Sequence, residues 1–254
     1  MDEKEKVRLA FAKNKQAYIS SSTHRKKSDL KLIEAWLQPT TTMKLLDIAT
    51  GGGHVAKHLS PCVAKVYATD LTKEMLENTK KHLQSFTNIE YLIADAEQLP
   101  FLDHSFELIT CRIAAHHFPH PELFIQEVKR VLKPKGKFLL IDNIAPTSQI
   151  HRDFLHQLEK MRDESHVNYL TMSEWKSLFQ RNGLSISKDK FQNKTLYVEE
   201  WSNRTLDTIE EKQQVLSFLL STNKEITSYF QIKTKNKKPE CFSIDEWFVL
   251  LEHA

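Results

Sequence analysis

Short apolar blocks alternate with longer amphipathic stretches over the first 145 residues, and that alternation predicts the elements. Lys44-Leu-Leu-Asp-Ile48 reads as a buried strand, and His54 to Ser60 as the helix after it. Ala64 to Thr69 predicts a second strand, ending at Asp70. Thr72 is placed to cap a helix running to about Phe86, with Glu74 in its first turn. Ile89 to Ala94 predicts a third strand ending at Asp95, Phe106 to Cys111 a fourth, and Lys137 to Ile141 a fifth ending at Asp142. Between the last two, Pro121 marks a helix start, where its missing N–H is no loss, and that helix ends near Lys133-Pro134-Lys135-Gly136. Strands alternating with helices imply an α/β fold, a largely parallel sheet with helices on both faces.

After residue 150 the pattern changes. Residues 150–163 and 173–182 read as helices, Leu184 to Phe191 as extended, and 207–221 as helix. Thr227 to Lys233 and Cys241 to Leu251, separated by the turn-like Thr234-Lys-Asn-Lys-Lys-Pro239, predict an antiparallel pair. No composition shift marks a second domain, so one domain over 1–254 is expected.

Composition narrows the class. A single domain of 254 residues hides roughly 75% of its unfolded surface and needs no staple. Cys62, Cys111 and Cys241 form no C-x-x-C pair and leave an odd one over, against a disulfide framework or structural zinc. Met1 to Lys15 has no apolar signal core, and no run approaches ~18 apolar residues, so a cytoplasmic protein without a membrane span is expected. Residues 1–31 hold nine Lys/Arg against four Asp/Glu, while the remainder holds 27 against 29. Such a run is most often a solvated helix face, and without interleaved aromatics no nucleic-acid partner is expected. The oligomeric state is not legible.

Glycine marks the functional region. Average usage of about 7% would give about 18 glycines, yet there are five, three of them consecutive at Gly51, Gly52 and Gly53. Glycine is needed where φ is positive or a ligand approaches the backbone. Asp47, Asp70 and Asp95 stand at the ends of three successive strands, where open parallel sheets bind ligands, so they are expected to line one crevice. Gly51-x-Gly53-x-x-Ala56 also fits a dinucleotide fingerprint, which keeps a nicotinamide-dependent oxidoreductase open. A pyrophosphate wants helix amides and no nearby carboxylate. S-adenosylmethionine instead offers an ammonium, a sulfonium, a ribose diol and an adenine amine, which Asp47, Asp70 and Asp95 suit better.

Leu45-Leu-Asp-Ile-Ala-Thr-Gly-Gly-Gly53 resembles the first motif of class I S-adenosylmethionine-dependent methyltransferases, usually D-x-G-x-G-x-G. Ala94-Asp-Ala-Glu-Gln-Leu-Pro-Phe101, Ser105-Phe-Glu-Leu-Ile109 and Glu127-Val-Lys-Arg-Val-Leu-Lys-Pro-Lys-Gly136 resemble later motifs of its ubiquinone/menaquinone-biosynthesis-like branch. Four motifs in order cover about residues 43–145. Tyr18 to Leu30 resembles the cap segment of small-molecule members. The resemblance implies a Rossmann-like seven-stranded sheet ordered 3-2-1-4-5-7-6 with the last strand antiparallel. It divides the domain into a helical cap (1–42), a cofactor-binding core (43–145) and C-terminal helices with the last two strands (146–254). It implies methyl transfer from S-adenosylmethionine to a small-molecule acceptor; a non-catalytic cofactor-binding or regulatory protein is the other alternative.

Carried over by residue, the resemblance sets Ala49, Thr50, Gly51 and Gly53 along the methionine part of the cofactor, with Asp47 nearby. Asp70 takes the ribose hydroxyls, Leu71 and Met75 flank the adenine, and Asp95 with the Ala96 amide meets its edge. Cys111 lies near the amino acid end. Two departures stand out. Ala49 replaces the motif's first glycine and is expected to narrow the turn, and Cys111-Arg-Ile-Ala-Ala-His-His-Phe118 lacks the G-F-G-x-R-N-like run of quinone methyltransferases.

His116 and His117 follow the fourth strand and are candidates for a general base, a task that suits a side chain titrating near neutrality. Adjacent side chains diverge, so one is expected to reach the crevice, and His116 is nearer the strand end. His24 is a further candidate, from a lid over the crevice. His54 and His58 have the i, i+4 spacing of metal ligands but no H-E-x-x-H signature, so no metal is expected. Phe118, Trp175, Tyr197 and Trp201 are available for an aromatic acceptor pocket.

Overall fold

The apolar blocks of the first half become the middle of a mixed sheet. A computed structural model describes residues 2–20 and 27–254. Helices α1 (Glu3–Ser20) and α2 (Lys27–Leu37) precede β1 (Lys44–Ile48), α3 (His54–Leu59), β2 (Lys65–Asp70), α4 (Lys73–His82), β3 (Ile89–Ile93) and β4 (Phe106–Arg112). Then come α5 (Pro121–Val131), β5 (Leu132–Asn143), α6 (Gln149–Arg162), α7 (Met172–Arg181) and β6 (Leu184–Tyr197). The rest comprises α8 (Val198–Ser202), α9 (Ile209–Leu220), α10 (Lys224–Tyr229), β7 (Lys233–Lys235) and β8 (Lys238–His253).

The sheet runs β3-β2-β1-β4-β5-β8-β6, with β7 attached to β8. Strands β1 to β5 pair in parallel, and β8 is antiparallel to both β5 and β6. This is the expected 3-2-1-4-5-7-6 order with β8 as the seventh strand and β7 as a short addition. Alternation along the strands divides the core. Leu46, Ile48 and Ile109 pack with Phe124, Trp175 and Phe179 on one face, while Leu45, Leu108 and Ile141 pack with Ile33, Leu37 and Val55 on the other. Each buried side chain of this kind contributes roughly 1.5–3 kcal/mol. A third cluster, with Phe154, Leu158, Trp201, Phe242 and Ile244, fastens α6, α8 and α9 to the far half of β8.

Several boundaries differ from expectation for local reasons. Thr227 to Lys233 is mostly not a strand. The Asn223 side chain accepts from the Ile226 N–H and starts α10, leaving only Lys233–Lys235 to pair with β8. Strand β6 runs to Tyr197 instead of Phe191 because the 16-residue β8 pairs along its whole length. Strand β5 begins at Leu132, with a register shift opposite Phe106 and Leu108 absorbing Lys133–Gly136. Thr72 stands at the N-cap of α4, but its hydroxyl makes no capping bond; its own N–H donates to Asp70 Oδ1.

Candidate functional site

A cleft opens at the carboxyl ends of β1, β2 and β4, the place where strand order reverses. Its floor is the turn after β1. Ala49 there has φ +51° and Gly51 φ +52°. Ala49 adopts the left-handed conformation that the motif's glycine would take, at a cost of roughly 1–2 kcal/mol. The turn's amides are engaged internally: Thr50 N–H donates to Thr69 O (2.8 Å), Gly51 N–H to Asp70 Oδ2 (3.1 Å) and Gly53 N–H to Thr50 O (2.8 Å).

The three strand-end aspartates meet here with different tasks. Asp47 lies behind the turn and accepts from the Thr50 hydroxyl (2.6 Å) and the Thr110 hydroxyl (2.7 Å), while burial raises its pKa. Asp70 accepts from the Gly51 and Thr72 amides, and burial pushes its pKa up to about 6. Asp95 Oδ1 accepts from the Glu97 N–H (2.9 Å), and its other oxygen meets the Lys4 ammonium at 2.6 Å. Lys4 also bonds Glu97 at 2.6 Å, so α1 closes over the cleft with Lys4, Val7 and Phe11 on its inner side. These two carboxylates keep the Lys4 pKa raised against the effect of burial.

Asp47, Ala49, Thr50, Gly51, Asp70, Leu71, Asp95 and Ala96 line this cleft. Three expected residues do not. Gly53 starts α3, and an added Cβ there would sit 2.5 Å from Thr79 Cγ2 and 2.8 Å from Leu83 Cδ1, so this glycine serves the close packing of α4. Met75 is buried behind Gly51, with Cε 3.9 Å from where a Gly51 Cβ would stand. Cys111 turns into the core, because β4 continues one residue further and presents Arg112, Ile113 and Ala114 to the cleft. His24 lies outside the described residues.

A smaller chamber of about 40 Å³ adjoins the cleft, and Phe11, Ile113 and His117 border both spaces. Ile113 has φ +54°, an outlier for a β-branched residue, held by its N–H bond to Ile141 O (2.7 Å). Both candidate histidines border the chamber, because a tight turn at Ala115–His117 sets their rings 4.3 Å apart. The one that also faces the cleft is His117, not His116.

His116 Nδ1 lies 2.8 Å from Asp142 Oδ1, while Asp142 Oδ2 accepts from the His116 N–H (3.0 Å). In the neutral ring a carboxylate at Nδ1 favours the tautomer protonated there, which leaves Nε2 as the acceptor. His117 Nδ1 donates to Ser165 O (3.0 Å), and burial followed by the neighbouring His116 depresses its pKa to about 4. Tyr169 joins the group, donating to Glu159 Oε1 (3.0 Å) and accepting from Asn143 Nδ2 (3.1 Å); burial raises its phenol pKa well above the ordinary value. Arg162 holds Glu159 through Nε and Nη2 and lies over the Trp201 ring at 5.1 Å. Lys194 pairs with Glu246 at 2.7 Å.

Asp142, Tyr169, Arg162, Lys194 and Arg204 were not singled out from sequence. Asp142 had a visible signal, since it ends a strand as Asp70 and Asp95 do. Of the four aromatic candidates, Trp201 borders the chamber and Phe118 the cleft, whereas Trp175 is core and Tyr197 is exposed. His58 bonds Glu34 (2.8 Å), and among the described residues no group of three or more His, Cys, Asp or Glu is arranged to hold a metal. Nor, among them, is any helix long and apolar enough to cross a membrane.

The residues fit S-adenosylmethionine. A cleft lined by Asp47, Asp70, Asp95 and Glu97 offers acceptors for a diol, an amine and positive charge. A dinucleotide pyrophosphate would need the very turn amides that are bonded within the fold. The chain belongs to the class I S-adenosylmethionine-dependent methyltransferases, and it is an enzyme of that class. The family described as "Methyltransferase domain" matches residues 46–140. The chain is 33% identical to the uncharacterized methyltransferase YcgJ of Bacillus subtilis over 237 residues, 92% of this chain and 94% of the relative. The crystal structure of YcgJ superposes with a TM-score of 0.85 at 32% identity, covering 89% of this chain and 99% of that one. Similarity to the ubiquinone/menaquinone biosynthesis C-methyltransferase UbiE of Rickettsia typhi is partial, 34% over 125 residues, 46% of this chain and 50% of that protein.

Proposed function

We propose that the methyl acceptor is a small molecule that gives up an O–H or N–H proton, and that His116 Nε2 receives it. The small chamber next to the cofactor cleft, with the Asp142-oriented His116 on its wall, carries this reading. Bound S-adenosylmethionine supplies an activated methyl group, so the protein's share of the rate lies in aligning the acceptor and managing its proton. Asp142 holds the His116 ring from two directions, through Nδ1 and the backbone amide. His117, kept neutral at pH 7 and edge-on to Phe11 (centroids 5.0 Å apart), shapes the passage between cleft and chamber. On the cofactor side, Asp70 takes the ribose hydroxyls, Asp95 and Ala96 the adenine edge, and the Ala49–Gly51 turn the methionine part.

Incubation with methyl-labelled S-adenosylmethionine and a crude extract, followed by separation into small-molecule, protein and nucleic-acid fractions, tests this. Label is expected in the small-molecule fraction. Label confined to protein or nucleic acid would overturn the reading.

A further inference from the structure

The chamber's lining is unusual for so small a space. Arg162 at the end of α6, Lys194 on β6 and Arg204 between α8 and α9 converge on it from three separate elements. Among the described residues, Glu159 is the one carboxylate bordering it. Arg162 and Lys194 are only 8% and 4% exposed. Taking a cation out of water costs several kcal/mol, and apolar residues of the same volume would pack at least as stably. Arg162 is matched by Glu159 on the same wall, while Glu246, the partner of Lys194, lies behind the lining and does not border the cavity.

The field of these cations also reaches their neighbours. Behind burial and the neighbouring histidines, Arg162 adds to the depression of the His117 and His166 pKa values, and behind burial and Arg112, Arg204 adds to that of Lys194. Asn143 contributes a second kind of observation. It is 6% exposed, it borders the chamber, and its Oδ1 is buried without a hydrogen-bond partner. That oxygen calls for a donor from a ligand.

We infer that the chamber takes the anionic head group of the acceptor, a carboxylate or a phosphate, seated against Arg162, Lys194 and Arg204, with Asn143 Oδ1 accepting from a hydroxyl of the same molecule. The inference rests on the acceptor being a small molecule. Size agrees with it: about 40 Å³ holds roughly three waters, and thus a head group rather than a ring system. So does position, because the chamber meets the cleft at Ile113 and His117, so a molecule anchored there holds its acceptor atom beside His116 at the opening through which the methyl group arrives. Guanidinium groups suit this task, their planar donors matching the oxygens of carboxylate and phosphate.

The test uses the full chain saturated with S-adenosylhomocysteine. Inorganic phosphate and, separately, acetate are titrated at constant ionic strength against chloride while the melting temperature is followed, since a ligand of the native state stabilises it. At least one of the two is expected to give a saturable rise, and the one that binds more tightly identifies the head group. Arg204→Gln, at a half-buried position, should weaken that anion at least about tenfold, the size of a lost charged hydrogen bond, with S-adenosylhomocysteine affinity within about twofold of wild type. Arg162→Lys, which keeps the charge but not the fork, should weaken it less. No saturable response in protein that binds S-adenosylhomocysteine, or an unchanged response in Arg204→Gln, overturns the assignment. An anion response in an enzyme that labels only macromolecules would uphold the anion site and refute the small-molecule reading instead.

Discussion

In the cofactor cleft the working groups follow directly on strand ends. Asp47 to Gly51 leave β1, Asp70 and Leu71 leave β2, and Asp95 and Ala96 follow β3, with backbone amides fixing the carboxylates of Asp70 and Asp95. The acceptor chamber is assembled otherwise. Phe11 comes from α1, His116 from the turn after β4, Arg162 from α6, Lys194 from β6 and Arg204 from the loop beyond α8, and side chains hold one another in place. A ligand common to a whole family is met by backbone geometry that changes little with sequence. A ligand particular to one member is met by side chains, each replaceable without disturbing the sheet. The shared wall of Phe11, Ile113 and His117 is where the two plans join.

The separation breaks most visibly if a chamber residue proves to govern the cofactor. His116→Ala should lower turnover of the acceptor by on the order of 10²-fold or more, with S-adenosylhomocysteine affinity unchanged by calorimetry. A matching loss of cofactor affinity would mean that the two spaces act as one.

Asp70→Ala tests the reverse direction. It should weaken S-adenosylhomocysteine by on the order of 1–3 kcal/mol and leave the chamber's anion response intact. The same carboxylate sharpens the comparison through pH. Its ordinary value is 3.8, and burial raises it to about 6 in the folded protein. Between these values the native state holds a proton that the unfolded chain has lost, so this group's contribution to stability falls as pH rises through that window. Cofactor affinity should move oppositely, full above about 6 and falling below it as the acceptor for the ribose hydroxyls is protonated. Calorimetric titrations from pH 5 to 8 should show that fall in the wild type and lose it in Asp70→Ala.

The smallest effect concerns the turn. Ala49→Gly removes the strain at φ +51° and should raise stability by about 1 kcal/mol, a few degrees in melting temperature, with little change in either site.

How far the sequence disclosed all this follows the same division. The cofactor half was legible because its signals are contiguous: apolar blocks, a run of glycines, an acid at each strand end. Within it, misplacements came from packing that a linear reading does not contain. Gly53 is required by Thr79 and Leu83 of the neighbouring helix and turn, and Cys111 faces inward because β4 runs one residue longer. The chamber was largely illegible. Nothing along the chain relates Arg162 to Lys194 or Arg204 until β6 and the helices around α8 fold together, and Lys4 read as part of a solvated basic run although it reaches Asp95, 91 residues away. Thr227 to Lys233 failed differently, since a short apolar-polar alternation fits a strand and one turn of helix alike.

The position of β8 has a consequence for biosynthesis. It follows every other strand in the chain, yet it lies between β5 and β6 and supplies Glu246, the counter-charge of Lys194. While the polypeptide is still emerging from the ribosome, β5 and β6 each present a row of unpaired amides and carbonyls, and Lys194 has no carboxylate beside it. Such edges template pairing with other chains. From the completion of β5 onward the nascent protein is therefore open to association at these edges, a window that closes only when Lys238–His253 docks.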